Sequence, residues 1–105
     1  MPTYGQYNAA LTDAVNKVAA GESIAIGFRK HARLRMEERG FDHAEVLECL
    51  RRGSAYGPEL ENGEVRANVV HRGIRLRVVV AGLDAVDGDW SALTSLKVHT
   101  VMEVA

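Results

Sequence analysis

The chain changes its hydrophobic period once. From Asn8 to Gly53 apolar residues recur at helical spacing, and from Val65 to Val104 they alternate with a spacing of two. A helix brings residues three to four apart onto one face and a strand those two apart, so a single switch puts helices first and strands after. Leu11, Ala14, Val15, Val18 and Ala19 mark a first helix over about residues 8–20, stopped at Gly21. A second helix runs from about Lys30 to Arg39 and stops at Gly40. Asp42, with Glu45 three residues on, has capping-box spacing for a third. Its buried face is Val46, Leu47, Cys49 and Leu50, and Gly53 ends it. Helices two and three therefore form an αα-hairpin through Gly40-Phe41-Asp42.

Beyond Gly53, Tyr56-Gly57-Pro58 and Glu61-Asn62-Gly63 are turn signals. Val65, Ala67 and Val69 alternate with Arg66 and Asn68, and His71-Arg72-Gly73 reads as a hairpin turn. Ile74, Leu76, Val78 and Val80 then alternate with Arg75, Arg77 and Val79. Residues 83–95 read as a polar loop around Trp90. In the closing strand Leu96, Val98, Thr100 and Met102 share one face, and Lys97, His99, Val101 and Glu103 the other. Residues 23–28 read as a short extended segment or a plain connection. The predicted fold is α+β. Two to three N-terminal helices, including the αα-hairpin, pack on a C-terminal antiparallel sheet of three or four strands, in one domain over residues 1–105.

Composition narrows the function. The most apolar stretch, Ile74 to Leu83, carries Arg75 and Arg77, so no membrane span is expected. The N-terminus lacks the charged and apolar regions of a secretory signal, and Cys49 is the single cysteine. Both point to a cytoplasmic protein. Net charge is −1, yet 10 of the 13 basic residues are arginine. Seven basic residues fall between Arg29 and Arg52 and four between Arg66 and Arg77, while residues 82–95 hold none. Arginine suits planar, bidentate phosphate contacts, although solvated helix and strand faces use it as well. The four histidines have no metal-ligand spacing, Cys49 lies on an apolar helix face, and no P-loop or dinucleotide fingerprint is present. No metal and no cofactor are expected. Aromatic content of 6% disfavours base stacking on a sheet platform.

His31, Arg35 and Arg39 follow one another every four residues. They span about 80° of helix circumference and form one stripe. An imidazole flanked by guanidinium groups has the parts for metal-independent RNA cleavage, moving protons and stabilising a crowded phosphorane. Glu38 is placed to pair with Arg35, and the bland alternative is a structural histidine with arginines paired across the αα-hairpin. Arg66 and Asn68 share one strand face, and Arg75 and Arg77 another. Side by side they would form a phosphate-tracking surface, or simply the solvated face of a two-layer fold.

The segment Phe28-Arg29-Lys30-His31-Ala32-Arg33-Leu34-Arg35-Met36-Glu37-Glu38-Arg39-Gly40-Phe41 resembles the signature of a small prokaryotic family, domain of unknown function 4258. That signature reads H-A-x-x-R-M-x-x-R-G-I, followed by an acid-capped helix ending in Leu-Arg-x-Gly. The match extends through Leu50-Arg51-Arg52-Gly53, with Phe41 at the Ile position, and covers about residues 23–104. The resemblance implies a fold like the RelE and MqsR toxins, in the barnase–EndoU–colicin–RelE class of ribonucleases. It implies a metal-independent endoribonuclease toxin of a toxin–antitoxin system, acting on RNA by general acid/base chemistry. The cognate antitoxin would be a zinc-finger or helix-turn-helix, MqsA-like protein. Residue by residue, His31, Arg35, Arg39, Arg77 and Thr100 become the catalytic candidates. Arg33, Arg66, Arg72, Arg75 and Lys97 become the RNA-binding ones. Residues 82–95 depart from the compact family pattern as an insertion. The competing reading is a non-catalytic RNA- or protein-binding module with an arginine-rich face, and a homodimer burying that face is a further outcome. All of these turn on whether the helix stripe faces the hairpin arginines.

Overall fold

A computed structural model describes residues 5–21 and 25–104. Its elements are α1 (Ala9–Ala20), β1 (Ile26–Phe28), α2 (Lys30–Arg39), α3 (His43–Arg52), β2 (Ser54–Glu61), β3 (Glu64–His71), β4 (Leu76–Ala81) and β5 (Leu96–Glu103). The five strands form one sheet in the order β1-β5-β4-β3-β2. All neighbours are antiparallel except β1 and β5, which run parallel. The helices pack on one face of this sheet, as the change of period requires. Among the described residues no helix is long and apolar enough to cross a membrane.

Local chemistry fixes the helix ends. Asn8 caps α1 by accepting from the Leu11 N–H at 3.0 Å. Asp42 and Glu45 complete the capping box of α3, at 2.8 and 3.1 Å. Gly40 closes α2 in the left-handed region at φ 74. Gly53 closes α3 for another reason. Its φ is an ordinary −77, but a Cβ there would lie 2.4 Å from the Cys49 carbonyl oxygen and 2.9 Å from Val69 Cγ1. The helix passes so close to β3 that only a hydrogen fits.

The core joins Leu11 and Val15 of α1, Ala32 and Met36 of α2, and Val46 and Leu50 of α3 to one face of the sheet. That face is Ala55, Ala67, Val69, Val78, Val80, Val98 and Val101. Thr12 ties α1 to β2: its hydroxyl donates to Asn8 O at 2.8 Å and accepts from the Ala55 N–H at 2.8 Å.

Four sequence expectations need correction. The sheet has five strands rather than three or four, and it is mixed. Strand β2 runs straight through Tyr56-Gly57-Pro58, because at the sheet edge an irregularity between Tyr56 and Glu59 absorbs the proline without breaking a central ladder. The extended option for residues 23–28 holds for β1, whereas Ser23 and Ile24 lie outside the described residues. Residues 83–95 are no mere polar loop: Leu83 and Leu93 are buried, Val86 and Trp90 pack against the core, and Asp84 accepts from the Val65 N–H at 3.2 Å. Finally, β4 begins at Leu76, so Arg75 sits in the preceding turn at φ 55 and does not share a strand face with Arg77.

Strand β5 also breaks its alternation. Val79 pairs with Thr100 but Val80 pairs with Val98, leaving His99 as an inserted residue. One extra residue exchanges the faces beyond it. Val101 therefore enters the core, and Thr100 moves to the opposite face, where Arg66, Asn68 and Arg77 also lie.

Candidate functional site

The inserted His99 faces a charged cluster drawn from two distant stretches of the chain. Arg29 follows β1 directly and precedes α2, His31 is in the first turn of α2, and Glu64 and Arg66 are on β3. Arg29 grips the Glu64 carboxylate with both terminal nitrogens, Nη1 to Oε1 at 2.7 Å and Nη2 to Oε2 at 2.8 Å. Arg66 Nε donates to the same Oε1 at 2.6 Å, and its Nη1 lies 3.4 Å from Glu61. Arg29 Nη1 also meets His99 Nδ1 at 3.1 Å. The His31 ring lies beside that of His99, with centroids 5.8 Å apart and planes tilted by 32°.

This geometry sets the charge states. Hydrogen bonds from Arg29 and then Arg66 pull the Glu64 carboxyl from 4.5 down to about 2. The Glu64 contact raises Arg29 further. Burial lowers His99 first, and the charges of Arg66 and Arg29 lower it more, against a smaller opposing effect of Glu64. His99 is thus a neutral imidazole among cations. His31 is exposed to solvent on the outer side of the pair.

The helix stripe does not act as a unit. His31 reaches the cluster, but Arg35 pairs with Glu38 at 2.8 Å on the exposed side of α2. Arg39 donates to the Val101 carbonyl at 2.9 Å, on the stretch of β5 beyond its pairing with β1. Arg39 thereby covers an open strand edge rather than offering a cation. Arg33 is exposed on α2. Arg66 is central to the cluster, with only 12% of its side chain exposed. Arg77 donates to Asn68 at 2.9 Å on the sheet face that carries Thr100. Lys97 lines a shallow pocket of about 230 Å³ with Gly27, Phe28 and Arg29. Arg72 and Arg75 lie in the turn before Leu76, at the far end of β4 from Ala81 and its partner Lys97. The strand between is roughly 17 Å long. They do not belong to this site.

Sequence reasoning missed three members. Arg29 stands inside the quoted signature, one residue before the helix and two before the stripe. Glu64 falls between the Glu61-Asn62-Gly63 turn signal and the alternation that starts at Val65, and carries no signal of its own. The alternation places His99 on one face with Lys97, Val101 and Glu103, and only the displaced register reveals its neighbours. Cys49 is fully buried, and burial pushes its thiol up to about 12, so it is no nucleophile. Among the described residues no group of three or more His, Cys, Asp or Glu side chains is placed to hold a metal ion.

No curated protein and no solved structure matches the chain. A family pattern does match, over residues 28–83. That span takes in Arg29, His31, Glu64, Arg66 and Arg77 and stops short of His99 and Thr100. With more than half its length under this pattern, the chain belongs to the family described as domain of unknown function (DUF4258).

Proposed function

We propose that this protein is a metal-independent endoribonuclease that uses the His31–His99 pair beside Arg29 and Arg66. The observation that carries this reading is the pair itself: one exposed imidazole 5.8 Å from a second imidazole that is bonded to an arginine. His31 takes the proton of a 2′-hydroxyl, the oxygen attacks the adjacent phosphorus, and the bond to the 5′-oxygen breaks. The proton on His31 passes to that leaving oxygen, so the products are a 2′,3′-cyclic phosphate and a 5′-hydroxyl. His99 cannot serve as the base. Its Nδ1 accepts from a guanidinium, which leaves Nε2–H as a donor to a phosphorane oxygen. Arg29 and Arg66 supply positive potential, and Arg77 and Thr100 extend the polar face on which an RNA strand would lie.

The wider reading follows from the RelE- and MqsR-like resemblance of the signature. It is a cytoplasmic toxin whose antitoxin partner covers this face. The purified chain, in chelator, should cut RNA and leave cyclic ends. His31→Ala and His99→Ala should each lower the rate by about 100-fold or more, and Arg35→Ala should not. A wild-type chain that leaves RNA intact sinks the enzyme reading. The other reading is a non-cutting RNA-binding module, favoured by the fact that Glu64 already pairs with both Arg29 and Arg66. It predicts RNA binding that weakens steeply with salt and no cyclic ends.

A further inference from the structure

Glu64 is held as a bound anion would be. Three N–H groups from two arginines converge on one carboxylate, at 2.6, 2.7 and 2.8 Å. A bidentate guanidinium fork fits a phosphate as well as it fits a carboxylate. The two arginines come from the start of α2 and from β3, so the fold rather than local sequence brings them together. Helix α2 begins beside Arg29 with no side-chain cap and no acidic residue in its first turn. The positive end of its dipole is therefore uncompensated by its own side chains. His99 touches the clamp through Arg29, and His31 lies beside His99.

The occupant is placed to leave. Glu64 opens β3 directly after the Asn62-Gly63 turn, and 23% of its side chain remains exposed. Its side chain already meets solvent, so displacement requires the carboxylate to swing outward and requires no opening of the core. A phosphodiester and a carboxylate each bear a single negative charge. One can replace the other without leaving the two cations uncompensated, which is the costly state for partly buried charges.

We propose that the Arg29–Arg66 pair is a phosphate seat, that the Glu64 carboxylate is its resident occupant, and that a phosphodiester of RNA displaces it on docking beside His31 and His99. The identity of the phosphate rests on the ribonuclease reading. The seat itself rests on the clamp. Affinity at this site is then a difference between two anions, and Glu64 holds the apparent affinity below what the arginines alone would give.

The test is to titrate the folded chain with inorganic phosphate and, separately, with a 2′-deoxy dinucleotide, whose diester no 2′-hydroxyl can cut. Binding is followed by the side-chain N–H resonances of Arg29 and Arg66. Glu64→Gln should bind the dinucleotide about tenfold more tightly than the wild type, because the competing anion is gone. Adding Arg66→Ala to that variant should abolish the gain. Equal or weaker binding by Glu64→Gln overturns the proposal, and a gain confined to inorganic phosphate overturns the diester assignment. If Glu64→Gln does not fold, the wild type decides. Saturating dinucleotide must then move the titration midpoint of the Glu64 carboxyl up towards the ordinary carboxylate range, and an unmoved midpoint overturns the proposal. Because no turnover is read, a chain that binds without cutting keeps the seat and loses the ribonuclease reading. A chain that cuts RNA with Glu64 undisturbed keeps the reading and loses the seat.

Discussion

Arg29 Nη1 lies 3.1 Å from His99 Nδ1 while the same guanidinium holds Glu64 through both terminal nitrogens. A guanidinium only donates, so Nδ1 accepts and the His99 proton sits on Nε2. Protonating Nδ1 would break this contact and place a third cation between Arg29 and Arg66. Arg29→Gln should therefore raise the titration midpoint of His99, read from its imidazole resonances. It should also release Glu64 upward, since Arg29 is the largest cause of its depression. An unchanged His99 midpoint would show that burial and Arg66 keep the ring neutral without Arg29.

The cluster makes stability depend on pH in two windows. Glu64 titrates at about 2 when folded and at 4.5 when free, so its contribution is complete above 4.5 and is lost as pH falls towards 2. His99 is lowered from 6.5, so below that value the unfolded chain binds a proton that the folded chain resists, and stability declines again. Urea midpoints measured across the acid range should fall through both windows. Glu64→Gln should flatten the lower one only, and a wild-type curve that is level between 4.5 and 2 contradicts the assignment.

Gly53 and Gly40 end adjacent helices for different reasons, and alanine separates them. At Gly53 a Cβ would meet Cys49 O at 2.4 Å and Val69 Cγ1 at 2.9 Å, both fixed in the core. Gly53→Ala should cost about 2 kcal/mol or more by overpacking. At Gly40 nothing lies within 4 Å, and only the φ of 74 opposes a side chain. Gly40→Ala should cost about 1 kcal/mol. Denaturant unfolding of both variants checks the order, and a milder Gly53→Ala contradicts the close approach of α3 to β3.

Cys49 donates to the carbonyls of Val69 and Leu76 at 3.5 Å, with no solvent contact. With its thiol at about 12, almost no thiolate exists near neutral pH. The native chain should resist iodoacetamide and become reactive only on unfolding, which mass spectrometry can follow. Rapid native labelling would mean that α3 opens from the sheet.

The helices and their ends were legible because their causes are local. Asn8, the Asp42–Glu45 box and Gly40 act within four residues of themselves, and the Arg35–Glu38 pair is one turn of helix. The family signature was legible for the same reason, being nearly one continuous segment. The strand β2 was hidden because Gly57 and Pro58 signal a turn wherever edge position is unknown. The stripe of His31, Arg35 and Arg39 was read correctly as spacing but not as a site. His31 and Arg39 meet different partners on β5, and Arg35 meets Glu38 on its own helix.

By itself the sequence determined the order of helices and strands, the caps, the apolar faces and the presence of many arginines around one histidine. Tertiary structure alone decided which of those groups meet. Pairing β1 with β5 joins residues about seventy positions apart, and the inserted His99 turns Thr100 away from the core. Periodicity reports only which residues of one element share a face. The Arg29–Glu64–Arg66–His99 cluster draws on two strands and a helix start, and no single segment carries a record of it.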